Sequence, residues 1–360
     1  MMRKFITGAI QEFSHWPSRR FVFLHVGNQL RTPFCVSPSG KTSVDKEEIP
    51  LPLEKFAKSI VPYAEPPSCE DIYLLHRFLD QSTKLMVLTG AGMSTECGIP
   101  DYRSPNGAYN TGFKPITHQE FTRSGKIRRR YWARSYAGWR KFTAAQPSAA
   151  HRALSSLEKC GRINFIVTQN VDRLHHRAGS NPLELHGSVY FVVCLDCSYS
   201  YERHAFQDQI KTLNPKWAKA IESIGKVDTE SLGMKQRPDG DVEIDEKFWE
   251  EEYEIPTCPK CGGVLKPDVV FFGDNVPKER ADRAMEGAKS CNGLLVLGSS
   301  LMTMSAFRLV RAAHEKGVPV ATVNVGDTRA DAFVPLKINA RLGEILPRVL
   351  NEGSFSIPLV

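Results

Sequence analysis

Two pairs of cysteines constrain this chain more tightly than any other feature. Cys194-Leu-Asp-Cys197 and Cys258-Pro-Lys-Cys261 are CxxC knuckles, separated by 60 residues. Each presents two thiolates from one tight turn, and together they complete a tetrahedral four-cysteine shell for Zn2+. Four thiolates leave no open coordination position, so such a metal is structural rather than catalytic. Two disulfides or free thiols are the alternative, disfavoured in a reducing compartment. The chain between the knuckles must therefore loop out and return, and residues 214–254 read as a charged insertion with a turn at Pro238-Asp239-Gly240-Asp241. The other cysteines, Cys35, Cys69, Cys97, Cys160 and Cys291, show no pairing pattern and read as apolar fillers.

A second stretch sets the larger architecture. Leu85 to Leu88 is a short apolar run that reads as a buried strand. It breaks at Thr89-Gly90-Ala91-Gly92, small residues that allow a sharp turn and close approach to a ligand. Ser94 and Thr95 are then placed to cap a helix and to offer hydroxyls to a phosphate, and Gly98 and Pro100 stop that helix at once. Asp101-Tyr102-Arg103 follows. Taken alone, these glycines fit an ordinary strand–helix turn equally well.

The same design recurs downstream. Asn164–Thr168 reads as a strand ending in Gln169-Asn170-Val171-Asp172. Leu183-Glu184-Leu185-His186-Gly187 is another polar strand edge, in which His186 suits a general base. Lys266–Asp274 is a β-branched and aromatic run closed by glycine. Leu294–Leu297 runs into Gly298-Ser299-Ser300, and Val318–Val323 runs into Asn324-Val325-Gly326. Helical segments at Lys278–Lys289, Ser305–Lys316 and Arg341–Leu350 separate the last strands. Strand–helix alternation with apolar strands predicts an α/β fold with a doubly wound, parallel, Rossmann-like sheet and a second, smaller zinc-binding domain. Nucleotide-suited residues at one sheet edge strengthen each other, because ligands of such sheets bind at the strands' carboxyl ends.

The expected organisation is a presequence over 1–41 and a proline-rich lead-in with a first helix over 42–83. A discontinuous Rossmann-type domain then covers 84–189 and 266–350, with a helical insertion at about 108–150, and the four-cysteine zinc domain covers 190–265. Residues 1–41 carry six basic residues against Glu12 alone, with Phe, Ile, Trp and Leu among them, as a mitochondrial presequence would. That segment holds most of the +7 net charge, leaving a nearly neutral body at +2, which argues against nucleic acid as the main partner. No apolar run approaches the roughly 20 residues a membrane-spanning helix needs. The helical stretch KIRRRYWARSYAGWRKF reads first as a solvated basic face. A sharper reading places Tyr131 and Arg134, three apart, in a pocket for an acidic group.

In their order, GAGMSTECGIPDYR, TQNVD, LHG, the paired knuckles, KPDVVFFGD, GSSL and NVG resemble the sirtuins, NAD-dependent protein lysine deacylases, over about residues 55–350. The wording YWARSYAGW, CLDC and KPDVVFFGD is most similar to the mitochondrial sirtuin-four type. The resemblance implies that NAD and acyl-lysine enter a cleft between the two domains, and that NAD is consumed as a co-substrate. It assigns the cofactor pocket to Gly90, Ala91, Gly92, Ser94, Pro100, Asp101, Tyr102, Arg103, Gln169, Asn170, Val171, Asp172, Gly298, Ser299, Ser300, Asn324, Val325, Gly326 and Leu342. His186, with Asn170 and Asp172, becomes the catalytic group. Val269, Val270, Phe271, Phe272 and Gly273 become the strand that pairs with substrate peptide, and Tyr131 and Arg134 the acidic-acyl pair. The implied partners are acyl-lysine proteins, mitochondrial matrix enzymes among them, with one structural Zn2+, no nucleic acid and no membrane insertion. Protein mono-ADP-ribosylation at the same NAD site and an NAD-binding regulator without turnover are the competing functions. Tyr102, where Phe is commoner, and Cys97, where Ser or Ala is frequent, depart from the family pattern, as does the long insertion.

Overall fold

Ser68 begins the first helix by the mechanism its sequence suggests. Its hydroxyl accepts from the Asp71 amide at 3.1 Å, while the Asp71 carboxylate accepts from the Ser68 amide at 2.9 Å. The helix, α1 (Cys69–Gln81), turns Ile72, Leu75 and Leu79 inward. The computed structural model describes residues 60–224, 237–240, 242 and 253–351. The segment 1–41 expected to be a presequence, and residues 42–59 of the lead-in, lie outside the described residues.

The centre of the molecule is β1 (Leu85–Thr89), buried along its whole length. It is flanked in parallel by β2 (Phe165–Thr168) and β7 (Gly293–Leu297), with Val87 opposite both Ile166 and Leu295. Outside these lie β3 (Leu183–Glu184) on one side, and β8 (Val320–Val323) then β9 (Leu336–Ile338) on the other. The order β3-β2-β1-β7-β8-β9 makes a six-stranded parallel sheet. Alternate residues of β1 face opposite layers. Leu85 and Val87 pack with α1, α4 (Ala149–Lys159) and α10 (Leu342–Leu350), while Met86 and Leu88 pack with α8 (Lys278–Ser290) and α9 (Met304–Glu315). Both faces are thus covered, as continuous apolar strands require.

Counting Lys266–Asp274 with the Rossmann-type block places it in this sheet, and the structure does not. Its first half lies in β6 (Leu265–Val269), which pairs antiparallel with β4 (Gly187–Cys194), and β5 (Ser200–Glu202) lies on the other side of β4. The three form a separate small sheet. Strand character is legible in β-branched residues, but the choice of partner is not. Around this sheet sits an aromatic core. Trp132 of α3 (Gly125–Ala144) donates its indole N–H to the Leu265 carbonyl at 3.2 Å. The fully buried Arg203, first residue of α6 (Arg203–Leu213), lies over the rings of Trp132 and Trp139 at 4.9 and 4.8 Å, a caged cation. Part of the expected insertion is helical, as α7 (Pro215–Ile224), and Arg237–Gly240 form a turn closed by Gly240 N–H to Arg237 O at 3.0 Å. Asp241 lies outside the described residues.

Candidate active site

The residues after β1 do not form the helix that Ser94 and Thr95 were expected to cap. Two short 3-10 turns take its place, Ala91–Met93 and Thr95–Cys97, the second ended by Gly98 at φ 81°. Ser94 is spent elsewhere: its hydroxyl donates to the Asp172 carboxylate at 2.7 Å and accepts from the Asn170 amide at 3.0 Å. The glycine turn instead presses against the end of β7. Gly90 N–H donates to Leu297 O at 3.0 Å and Gly92 N–H to Gly298 O at 2.9 Å. A Cβ on Gly92 would stand 2.9 Å from the Gly298 Cα, so the two main chains meet with no room for side chains. The result is a smooth backbone floor at the strand ends.

Over this floor opens a cleft of about 1410 Å3. Ala91, Gly92 and Ser94 line it together with Pro100 to Arg103, the Gln169–Asp172 segment, His186, Gly298 to Ser300 and Asn324 to Gly326. Five separate strand ends therefore deliver their polar residues to one space, as the sequence reading anticipated. Gly90 lies behind the wall, beneath Ser299, and Leu342 lines a small adjoining pocket beside Gly92 and Asn324. A dinucleotide fits the cleft in size, in its close-approach glycine floor and in its hydroxyl and amide lining.

At the centre of the cleft, Gln169, Asp172 and His186 are locked by hydrogen bonds. Asp172 accepts from Ser94 and from the Leu174 amide at 2.9 Å; burial raises its carboxyl above the usual range, and those bonds oppose the shift. Gln169 donates to Ser299 Oγ at 2.8 Å and accepts from Thr303 Oγ1 at 2.9 Å. His186 Nδ1 lies 3.1 Å from the Gln169 carbonyl, which can only accept. The proton is therefore on Nδ1, and the Nε2 lone pair is the basic one, 2.8 Å from Ser305 Oγ. Burial pushes the His186 imidazole down to about 4, against a smaller upward effect of the Gln169 carbonyl. His186 is thus a neutral base throughout the physiological range.

The far wall is the segment after β6. Val269, Val270, Phe271, Phe272 and Gly273 all line the cleft. Val270 N–H donates to His186 O and Phe272 O accepts from His118 N–H, each at 2.9 Å, so the segment hangs between the base and α2 (His118–Arg123). Phe272, Met302 and Met304, 40 to 46% exposed, give the mouth an apolar rim. Pro238 and Asp239 reach the cleft from the insertion. Thr303, Ser305 and the two methionines were missed by sequence reasoning; their only signal was that they directly follow Gly298-Ser299-Ser300-Leu301.

Tyr131 and Arg134 do not join this space. Tyr131 is 2% exposed, its ring 5.3 Å from Phe271 and 5.5 Å from Phe121, and Arg134 Nε donates to Val242 O at 2.7 Å. The pair shares a helical face, but that face of α3 is covered by aromatic side chains and by residue 242.

The cysteines converge as their spacing requires. The four Sγ atoms of Cys194, Cys197, Cys258 and Cys261 lie within 4.8 Å of one another, with Cys194–Cys261 at 3.5 Å and Cys197–Cys258 at 3.6 Å. Those separations are far too long for disulfides and match the roughly 3.8 Å edge of a tetrahedron with Zn–S bonds of about 2.3 Å. A closed shell of four thiolates suits structural Zn2+, which would pin the β4 end to the β6 approach.

A parallel sheet with a glycine floor, an imidazole base and a zinc-stapled side module defines a dinucleotide-binding enzyme of the α/β class. The chain belongs to the Sir2 family, which residues 90–305 match. It is 68% identical over 332 residues to the "NAD-dependent protein deacylase SRT2" of Arabidopsis thaliana, covering 91% of this chain and 89% of that protein. It is 46% identical over 292 residues to the human "NAD-dependent protein lipoamidase sirtuin-4, mitochondrial", covering 80% and 89%. Among solved structures, that of "Structural Basis for the Mechanism and Regulation of Sir2 Enzymes" is similar with a TM-score of 0.57 and 31% identity, covering 78% of this chain and 97% of that one. The complex "Sir2-p53 peptide-NAD+" is similar with a TM-score of 0.55 and 28% identity, covering 78% and 98%.

Proposed function

We propose that this protein is an NAD-dependent protein lysine deacylase acting on acyl groups larger than acetyl. The observation that carries the reading is His186, a neutral imidazole lining the cleft between the strand-end floor and the Val269–Gly273 segment, with its basic Nε2 next to the Ser305 hydroxyl. NAD, when bound, supplies the ribose carbon that receives the acyl group and nicotinamide as the leaving group. The chain's own residues then have defined tasks. The Gly92–Gly298 floor holds the phosphates, Asn170 and Asp172 orient the ribose, and His186 Nε2 takes a proton from a ribose hydroxyl. The backbone of Val270 to Gly273 accepts an extended peptide by strand addition. The names of the Arabidopsis and human relatives support deacylation, and the human relative's lipoamidase name supports a long acyl chain, as does the apolar rim. The basic, acid-poor N-terminus and the human relative's mitochondrial name support action in the mitochondrial matrix.

The test is incubation of purified protein with NAD and peptides carrying acetyl, lipoyl, acidic and branched acyl-lysines, with mass spectrometry of peptide and nicotinamide. Acyl loss that needs both NAD and His186 is the expected result. Transfer of ADP-ribose to an added protein, without deacylation of any peptide, would replace this reading with ADP-ribosylation.

A further inference from the structure

The chain that leads into α1 reaches the cleft at its β8 end. Val61, Pro62 and Tyr63 line the cleft, and Val61 and Pro62 also share the small adjoining pocket with Asn324, Arg341 and Leu342. The segment is anchored just beyond Tyr63: Ala64 is buried, and Arg348 of α10 donates to the Pro67 carbonyl at 2.9 Å. Tyr63 itself is 69% exposed, the most exposed large hydrophobic side chain among the described residues. Its hydroxyl donates to the Glu65 carboxylate. That bond raises the hydroxyl's pKa, and the Arg341 charge acts against it, which sets Tyr63 beside the start of α10.

The strand order gives this end of the cleft its meaning. His186 follows β3 and the Gln169–Asp172 segment follows β2, so the nicotinamide ribose belongs there. Gly92 follows β1 and Gly298 follows β7, the floor assigned to the phosphates, and Asn324 follows β8. From β2 to β8 is three strand spacings, about 14 Å. A dinucleotide laid across these strand ends with its nicotinamide ribose at β2 therefore carries its adenosine to β8, where the lead-in forms the wall.

We infer that Tyr63 is a cofactor-binding residue whose ring stacks on the adenine of NAD. This inference rests on the NAD-dependent reading. A purine presents flat faces, and a tyrosine ring covers such a face while its hydroxyl stays in water. Stacking also removes from water an apolar ring that the folded chain otherwise leaves exposed.

The experiment compares Tyr63→Ala and Tyr63→Phe with the unaltered full chain. Calorimetry reads the affinity for ADP-ribose without turnover, and deacylation kinetics read the KM for NAD and for an acyl peptide. Tyr63→Ala is expected to raise the ADP-ribose Kd and the NAD KM about tenfold, equivalent to about 1.4 kcal/mol and within the range for stacking one base on an aromatic side chain. Tyr63→Phe, which keeps the ring, should stay within about twofold of the unaltered chain. The peptide KM and the ligand-free melting temperature should be unchanged in both. Three results overturn the inference: ADP-ribose affinity of Tyr63→Ala within twofold of the unaltered chain, an equal loss in Tyr63→Phe, or a loss accompanied by a lower ligand-free melting temperature. The second would assign the effect to the Glu65 tether, and the third would make Tyr63 a prop for the lead-in. If the unaltered chain binds neither ADP-ribose nor NAD, the NAD-dependent reading itself falls, and this inference with it.

Discussion

Gly187 offers the sharpest test of how the small sheet holds His186, the proposed base. It follows His186, opens β4 and lies opposite Val269, with φ at 79°. A Cβ there would fall 1.9 Å from the Asp268 carbonyl oxygen, on the backbone of the neighbouring strand. Gly187→Ala therefore carries two costs. Holding a non-glycine residue in the left-handed region costs about 1–2 kcal/mol. Relieving the contact means moving β6 by about 1 Å or more, given ordinary contact distances, and overpacking of this kind costs typically about 1–3 kcal/mol. The sum, about 2–5 kcal/mol, is a large part of the ~5–15 kcal/mol that stabilises a domain. The same displacement pulls on Val270, whose N–H is bonded to His186 O at 2.9 Å, so His186 and the segment after β6 shift together. A 1 Å error can cost about 100-fold in rate. Urea unfolding and the deacylation kcat are the assays. Gly317→Ala is the control: φ is 73° there, but nothing lies within 4 Å of the added carbon. If Gly187→Ala loses no more stability than Gly317→Ala and deacylates normally, the argument from the strand contact is wrong.

Acid should weaken the fold earlier than carboxylate titration alone would. His175 is pushed down to about 3 and His186 to about 4 by burial, and His151, its ring 4.8 Å from that of His175, is also held well below its ordinary value. Below pH ~6.5 the unfolded chain takes up protons these sites refuse, so their contribution to stability falls as pH falls. Glu184, raised to about 7 by burial, and Asp172, also raised by burial, act in the opposite direction and offset part of this. The net expectation is a loss of at least about 1.4 kcal/mol per pH unit between roughly pH 6 and 5, read from urea midpoints; a flat profile would refute it. Metal analysis should find one zinc per chain, and a strong chelator should lower the melting temperature and abolish deacylation, with both restored by one equivalent of Zn2+. Structural zinc contributes roughly 10–16 kcal/mol in small peptides, so the loss should be large. Trp132→Ala empties the centre of the aromatic core and frees the Leu265 carbonyl, and should destabilise by about 3–5 kcal/mol without changing zinc content.

Much of the site could be read from the chain because its residues sit at strand ends in short, contiguous groups. Leu85–Thr89 into Gly90-Ala91-Gly92, and Phe165–Thr168 into Gln169-Asn170, announce both strand and edge in the same few letters. The cysteines were equally legible, since a closed thiolate shell needs no knowledge of what lies between. Tyr131 and Arg134 show where that reasoning stops. Three-residue spacing puts them on one face of α3, but what covers the face depends on Phe121, Phe271 and Val242, outside the helix itself. The expected helix at Ser94 failed for a related reason: the hydroxyl that could have capped it has a better partner in Asp172, 78 residues away. Ser305 and Thr303 carried no motif because what marks them is contact with two side chains, His186 and Gln169, that follow other strands.

The position of β1 also bears on how the chain reaches this state. Its partner β7 arrives very late: Lys84 and Asn292, which bond just before the two strands pair, are 208 residues apart. At synthesis speeds of about 5–20 residues per second, the central strand waits roughly 10–40 s for that neighbour. During that interval an apolar strand, destined for complete burial, has both edges open until β2 is made and one edge open thereafter. The small sheet and its cysteines are finished by residue 269, before β7 exists. Every residue of the side module is thus synthesised before the sheet's centre can close, and β1 is a segment a chaperone has reason to hold.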